Sequence, residues 1–173
     1  VVKYILIVGC MIYLSICAYL FFQQENLIFH PGKIAVNKNF VFDIPFEEIN
    51  IKTADKIDLN CLLFKTKVSE NPKGLIFFLH GNTGSLQNYG KAARFYTKLG
   101  YDFFAIDYRS FGKSGGEITS EEQFFSDVQL AYNKMKKRYK ESQIKIFGYS
   151  VGTGPAAMLA SRNKPSKLVL IAP

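Results

Sequence analysis

One short glycine-flanked segment of the sequence has the residue types of an acyl-transfer nucleophile. Gly148-Tyr149-Ser150-Val151-Gly152 follows the apolar run Ile144–Phe147 and precedes a small-residue segment of helical length. A serine at such a strand-to-helix turn presents its hydroxyl at the edge of a sheet, and the flanking glycines allow the backbone to pass close to neighbouring elements. The adjacent helix N-terminus favours developing negative charge. The pattern therefore predicts that Ser150 is a nucleophile.

A second glycine-rich segment is predicted to supply an amide that binds an oxyanion. The apolar run Leu75–Leu79 ends in His80-Gly81-Asn82-Thr83-Gly84. Acyl-transfer sites of this type use one backbone N–H from the residue after the nucleophile, here Val151, and another from the loop after an earlier strand. We therefore expect the N–H groups of Val151 and Asn82 to form the oxyanion hole. His80 is expected to brace the loop, because the base in such sites comes from a later loop.

A third segment, Asp107–Gly116, is rich in glycine and serine and follows the apolar run Phe103–Ile106. Together with segments 80–84 and 148–152 it resembles the α/β-hydrolase superfamily, and most of all its BEM46-type branch of often membrane-anchored serine hydrolases. The residues from Gln23 to Pro31 also resemble the sequence that follows the anchor in that branch. The resemblance covers nearly the whole chain. We interpret segment 107–116 as the rim of the site and Asp107 as its structural organiser.

The resemblance implies hydrolysis of an ester, thioester or amide through an acyl-enzyme on Ser150, with a small acyl ester or acylated molecule as substrate. In this superfamily the triad acid and histidine follow the nucleophile helix, and the sequence has no histidine after His80. We therefore expect the 173 residues to be an N-terminal portion, inactive on its own. The alternatives are an inactive gene remnant and a non-catalytic membrane-bound binding module, which could pair with a separately encoded C-terminal half. Nothing in the sequence calls for a metal or an organic cofactor.

The hydrophobic periodicity indicates the elements that position these motifs. Between Ile49 and Leu63, apolar and polar residues alternate around a turn at 54–56, which predicts an antiparallel hairpin with one buried face. Beyond Pro72, short runs apolar on both faces alternate with helical segments, as parallel strands between two helical layers require. The predicted strands are Leu75–Leu79, Phe103–Ile106, Ile144–Phe147 and Leu168–Ile171, and the predicted helices are Leu86–Leu99, Ser120–Tyr139 and Val151–Arg162.

The predicted fold class is α/β, a three-layer α/β/α sandwich of α/β-hydrolase type. The antiparallel hairpin leads into the parallel sheet, and residues 46–173 are expected to form the N-terminal portion of the domain, incomplete at the C-terminus. Ser120 followed by Gln123 is the pattern of a capping box and predicts the start of the second helix.

The first residues of the chain are predicted to span a membrane. From Tyr4 to Phe22 no residue is charged, and this run as a helix would extend about 28 Å, close to the hydrocarbon thickness of a bilayer. We interpret residues 1–23 as a single-pass anchor of open orientation, followed by a connecting segment at 24–45. A cleaved secretion signal, a lipoprotein signal ending at Cys17 and a buried core helix are the alternatives.

The net charge of +8 does not indicate a nucleic-acid partner. Basic residues are dense only between Lys134 and Lys140, at the end of a predicted helix, where positive charge complements the helix dipole. No nucleic-acid-binding motif accompanies them. The cysteines Cys10, Cys17 and Cys61 have no metal-ligand spacing, and they indicate neither a disulfide framework nor a metal site.

Overall fold

The computed structural model describes residues 1–172, and the chain divides into two units, Val1–His30 and Pro31–Pro173. The first unit contains one helix, α1 (Val2–Ile28), in which no residue is buried. By length and composition this helix could cross a membrane, and a signal sequence would pass the same test. The helix continues past the predicted anchor segment, residues 1–23, as far as Ile28, because glutamine and glutamate favour helix. The lack of buried residues does not support a core helix.

In the described part of the second unit, six strands form one mixed sheet in the order β2-β3-β6-β4-β7-β8. Strands β2 and β3 form an antiparallel hairpin, β3 also runs antiparallel to β6, and the remaining neighbours are parallel. The strands of the chain are β1 His30–Pro31, β2 Phe46–Lys52, β3 Asp58–Phe64, β4 Leu75–Leu79, β5 Thr83–Gly84, β6 Asp102–Ile106, β7 Ile144–Tyr149 and β8 Lys167–Ile171.

The helices of the second unit follow the predicted segments with shorter bounds. They are α2 Gly90–Lys98, α3 Glu121–Lys136 and α4 Thr153–Arg162, with 3₁₀ turns at Leu86–Tyr89, Glu141–Gln143 and Ser150–Gly152. The Ser120 hydroxyl accepts a hydrogen bond from Gln123 N at 3.1 Å and caps α3. The Gln123 side chain accepts from Thr119 N at 3.0 Å, one residue before the partner that a full capping box would use.

The predicted hairpin is confirmed, with a correction to its burial. In β2, Ile49 and Ile51 are buried and their neighbours are exposed, which is the expected alternation. In β3, every residue from Leu59 to Phe64 is buried. The two strands differ because β2 is at the edge of the sheet, whereas β3 lies between β2 and β6.

Successive residues of the central strands pack against helices on opposite faces of the sheet, which confirms the three-layer architecture. Phe77 stacks on Phe104, with ring centroids 5.0 Å apart, and makes an edge contact with Tyr132 of α3. The adjacent residue Phe78 belongs to the core cluster on the other face, together with Ala93 of α2. Fully burying each such side chain contributes about 1.5–3 kcal/mol.

The basic residues between Lys134 and Lys140, at the end of α3, are exposed to solvent, as predicted. Arg138 makes a bidentate ion pair with Glu47 at 2.7 and 2.9 Å, and Lys136 lies 3.4 Å from Glu141.

Strand β8 forms the other edge of the described sheet, and the side chain of its residue Leu170 is 40% exposed.

Candidate active site

The turn that follows β7 holds Ser150 in a strained backbone conformation. Its φ angle is +51°, in the left-handed region. An L residue other than glycine adopts this region at a cost of about 1–2 kcal/mol, so the surrounding structure must hold it there. The Ser150 carbonyl oxygen accepts a hydrogen bond from the Thr153 hydroxyl at 2.6 Å, which ties the turn to the first residue of α4. The Ser150 side chain is partly exposed.

The glycines on either side of Ser150 are required by close backbone packing. A Cβ atom added at Gly148 would lie 2.6 Å from the Gly152 oxygen and 2.7 Å from the Ala156 Cβ. A Cβ added at Gly152 would overlap the carbonyl oxygen of Leu79. Both distances are shorter than atoms can approach, so the spacing of the two glycines reflects how closely the turn lies against β4 and α4.

Parallel pairing of β4 with β7 brings the loop after β4 beside Ser150. Leu79 is opposite Gly148 in the register, so residues 80–84 begin at the level of the turn. A Cβ at Gly81 would lie 3.1 Å from the Tyr149 ring and 3.5 Å from Ser150 Cβ. The structure therefore brings Gly81, the residue before Asn82, next to Tyr149 and Ser150.

His80 is fully buried beneath this loop. Its Nδ1 lies 2.7 Å from the Gly81 carbonyl oxygen, and because that oxygen can only accept, Nδ1 is the donor. Tyr108 covers the ring at a centroid distance of 4.0 Å and donates its hydroxyl hydrogen to the His80 carbonyl oxygen at 2.8 Å. Burial lowers the pKa of His80 to about 4. The geometry agrees with a bracing role.

Asp107 directly follows β6 and is also fully buried. Its Oδ1 accepts a hydrogen bond from Leu86 N at 3.0 Å, and its carbonyl oxygen accepts from the Ser114 hydroxyl at 2.6 Å. Burial raises the pKa of the Asp107 carboxyl to about 8. A Cβ at Gly112 would overlap Asp107 Oδ2, so the loop is closed tightly around this side chain.

Gly32 is hydrogen-bonded to both loop 80–84 and loop 107–116, and the sequence did not predict this contact. Its N–H donates to the Gly84 oxygen at 2.7 Å, and its own oxygen accepts from Gly112 N at 3.1 Å. The N–H of Ile34 returns a bond to the Gly112 oxygen at 2.9 Å. A glycine after Pro31 was the only sequence signal for this close approach.

Arg109 is a second residue that sequence analysis did not single out. Its guanidinium is 5% exposed and donates to Asp127 of α3 at 2.6 and 3.1 Å. It also donates to Asp55 in the hairpin turn at 2.6 and 2.8 Å. The arginine lowers the pKa of the Asp55 carboxyl. Among residues 1–172, no group of three or more His, Cys, Asp or Glu side chains could hold a metal ion.

Comparison with known proteins gives matches to hydrolases. Residues 70–173 match the hydrolase family described as serine aminopeptidase, S33. Protein bem46 of Schizosaccharomyces pombe is 29% identical over 133 residues, which are 75% of this chain and 44% of that protein. Human alpha/beta hydrolase domain-containing protein 17B is 32% identical over 113 residues, 62% of this chain and 38% of that protein. The chain thus spans less than half the length of these relatives.

Solved structures with a similar fold include the Pyrococcus furiosus esterase Pf2001. It superposes with a TM-score of 0.65 at 23% identity, covering 84% of this chain and 56% of that one. An alpha-beta hydrolase from Vibrio vulnificus superposes with a TM-score of 0.60 at 25% identity, over 71% of this chain and 44% of that one. The sheet and helices of residues 31–172 are therefore arranged as in α/β-hydrolases.

Proposed function

This chain belongs to the α/β-hydrolase family described as serine aminopeptidase, S33, and to its BEM46-like branch, and we propose that Ser150 is the nucleophile of a serine hydrolase. The observation that supports this most strongly is the positive φ of Ser150 on a turn that packs against the loop 80–84. A strained turn between a strand and a helix is the arrangement that presents a nucleophilic hydroxyl in this fold.

In the proposed reaction the Ser150 hydroxyl attacks the carbonyl carbon of an ester, thioester or amide. Its proton passes to a histidine base, and the carbonyl oxygen becomes an oxyanion. The backbone N–H groups of Val151 and Asn82 donate hydrogen bonds to this oxyanion, a contribution worth about 3–4 kcal/mol per donor in related sites. As this intermediate collapses, the histidine passes its proton to the departing alcohol, thiol or amine, and water then hydrolyses the acyl-enzyme to release the acid and regenerate the Ser150 hydroxyl.

The general base is assigned to a histidine outside the described residues. His80 does not suit this role, because its Nδ1 hydrogen is bonded to Gly81 and its pKa is lowered to about 4. Both the base and the acid that orients it follow the nucleophile in the chain order of this fold. We accordingly place the complete activity in the whole protein.

The helix α1 is proposed to be a membrane anchor for this hydrolase. It has 27 residues, longer than the apolar core of a usual signal sequence, and none of them is buried. As a continuous helix it would extend about 40 Å, enough to cross the hydrocarbon layer with some tilt.

Labelling with a fluorophosphonate probe tests the assignment of the nucleophile. We expect the intact protein to form a covalent adduct and the Ser150→Ala variant to lose it completely. Ser161→Ala is the matched control, because Ser161 lies further along α4 and donates only to the Met158 oxygen. Equal labelling of Ser150→Ala and the parent would refute the assignment.

A further inference from the structure

Two buried side chains beneath the loop 80–84 each carry a polar atom without a hydrogen-bond partner among the described residues. The atoms are His80 Nε2 and Asp107 Oδ2. Both side chains are inaccessible to solvent, and His80 Nε2 lies 3.7 Å from Asp107 Oδ1. An unsatisfied buried polar group costs about 1–3 kcal/mol, so two such atoms in adjacent side chains require an explanation.

The hydrogen bond at Nδ1 determines what kind of partner His80 Nε2 needs. Because Nδ1 carries the hydrogen that is donated to the Gly81 oxygen, Nε2 of the neutral ring has a lone pair and needs a donor. The nearby Tyr108 hydroxyl cannot serve, since it donates to the His80 carbonyl oxygen at 2.8 Å. An imidazolium is disfavoured, because burial lowers the pKa of His80 to about 4 and outweighs the carbonyl oxygens of Gly81 and Ile106, which act in the other direction.

The surroundings of Asp107 do not supply a positive charge. The Leu86 N–H is its hydrogen-bond donor at 3.0 Å, and no lysine or arginine in the described residues forms an ion pair with it. The other ionisable groups that act on its carboxyl are Cys61 of β3, Tyr89 and Tyr108. Burial raises the pKa of each of these three groups, so they are neutral at physiological pH and cannot stabilise a carboxylate.

We propose that Asp107 is protonated at neutral pH and donates its hydrogen to His80 Nε2, so that a neutral acid–imidazole pair positions the loop that carries Asn82. The Asp107 oxygen nearest to Nε2 is Oδ1, and a rotation of the carboxyl about its broad terminal torsion has to close the 3.7 Å separation to make the bond. As the hydroxyl of the neutral acid, Oδ1 donates to Nε2 and still accepts from Leu86 N. Asp107 is thus a positioning residue, and this part of the inference rests on the hydrolase function proposed above.

The pair joins the ends of β4 and β6 without burying a charge. His80 follows β4, and Asp107 follows β6. An ionised Asp107 would need a partner charge to offset its desolvation, whereas the neutral acid carries no charge and supplies the donor that His80 Nε2 lacks. Protonation therefore explains both the unpartnered nitrogen and the missing counter-charge.

The sign of the expected pH dependence follows from the raised pKa of Asp107. Its value of about 8 in the folded protein is above its ordinary value, so the folded state retains a proton that the unfolded chain releases. The stabilisation is complete below the ordinary carboxyl pKa, declines as the pH rises and the unfolded chain releases the proton, and is fully lost once the pH has passed through about 8. The fold, and with it the loop 80–84, should therefore weaken between mildly acidic pH and about pH 8.

Infrared spectroscopy of the intact protein tests the protonation state directly. We expect the C=O stretch of a buried protonated carboxyl at about pH 6, its loss on titration to about pH 9, and its absence from Asp107→Asn. Asp43→Asn is the control, because Asp43 is exposed and should leave the band unchanged. If the parent shows no such band at about pH 6, the proposal is wrong, and this result does not depend on whether the protein is active.

Thermal unfolding of Asp107→Asn gives the second measurement. Its amide can donate to His80 Nε2 and accept from Leu86 N at every pH, so we expect folding at neutral pH and loss of the decrease in Tm that the parent shows as the pH rises to about 8. Any loss of fluorophosphonate labelling over the same pH range should also be absent from the variant. A parent and variant with the same decrease in Tm over this range would overturn the proposal, whereas absent labelling with the infrared band present would contradict only the proposed function.

Discussion

At the scale of single residues, the site is shaped by where a Cβ atom can be accommodated. Gly148 and Gly152 lie against backbone atoms, whereas Gly154, two residues further on, has only the Phe125 ring at 4.0 Å. Close packing requires a glycine at the first two positions but not at the third, although all three lie within one short segment. Alanine substitutions should therefore change the free energy of unfolding by different amounts.

Gly152→Ala should destabilise the fold and Gly154→Ala should not. The first variant forces a methyl group into the Leu79 and His80 carbonyl oxygens, which costs roughly 1–3 kcal/mol or more. The second replaces glycine in open space within α4 and should raise stability by up to about 1 kcal/mol. Urea denaturation followed by circular dichroism measures both values. Equal losses for the two variants would show that Gly152 does not pack as described.

Local patterns could predict the position of Ser150 but not the network beneath it. The strand, turn and helix around Ser150 are adjacent in sequence, so glycine spacing and apolar runs encode them. The contacts of Gly32 with Gly84 and Gly112 cross 52 or more residues of sequence. Such contacts depend on the assembled sheet, which no short segment of sequence records. The 3.7 Å approach of His80 to Asp107 was hidden for the same reason.

At the scale of elements, the strands were predicted closely because each central run is apolar on both faces. The burial of β3 was missed because its alternation with polar residues resembles that of a half-buried strand, while Asn60 is in fact buried and donates to Glu48 and Asn50. Arg109 was missed since its partners come from two other elements. It joins the loop after β6 to α3 and to the turn of the hairpin.

Removal of the two carboxylates that bind Arg109 should have unequal effects. Asp127→Ala leaves part of a buried guanidinium unpaired and should cost several kcal/mol, towards the roughly 3–5 kcal/mol seen when buried ion pairs are broken. Asp55→Ala should cost less, because Asp55 is 56% exposed and water replaces it. Chemical denaturation of the two variants gives the comparison. A larger loss of stability for Asp55→Ala than for Asp127→Ala would contradict the assignment of Asp127 as the buried partner of Arg109.

The ion pair of Asp55 with Arg109 should make the stability of the fold depend on pH in the acid range. The pKa of Asp55 is lowered, so its contribution is present at neutral pH and is lost as the pH falls below the ordinary range of a carboxyl. Asp55→Asn should therefore have a shallower decrease in Tm below about pH 4 than the parent. An unchanged acid profile would mean that the ion pair with Arg109 is absent in solution.

At the scale of the whole molecule, α1 is a separate unit whose residues are all solvent-accessible in the described structure. Its apolar composition was evident from the sequence, while its extension to Ile28 was not. The last turn contains Glu25 and Asn26, and such residues are tolerated where a helix leaves the hydrocarbon layer.

Two arginines in the middle of α1 should abolish stable membrane association. Ile12→Arg combined with Ile16→Arg costs about 5–7 kcal/mol of insertion free energy. The control replaces Gln23 and Gln24 by arginine near the helix end, where long side chains reach the interface at little cost. Extraction of membranes with alkaline carbonate distinguishes bound from released protein. Retention of the central double variant would contradict anchoring by α1, and a mature protein that begins after this helix would identify a signal sequence.

The hydrogen bonds of Gly32 have a mechanical consequence for the second unit. The chain enters this unit at Pro31, and its next residue is hydrogen-bonded to Gly84 and to Gly112, on the loops that follow β4 and β6. Tension that arrives along the backbone at Pro31 is therefore carried first by these loops, before it reaches β2 or the central sheet. A pull on the N-terminal end of residues 31–172 should therefore strain these two loops before it separates any strand of the sheet.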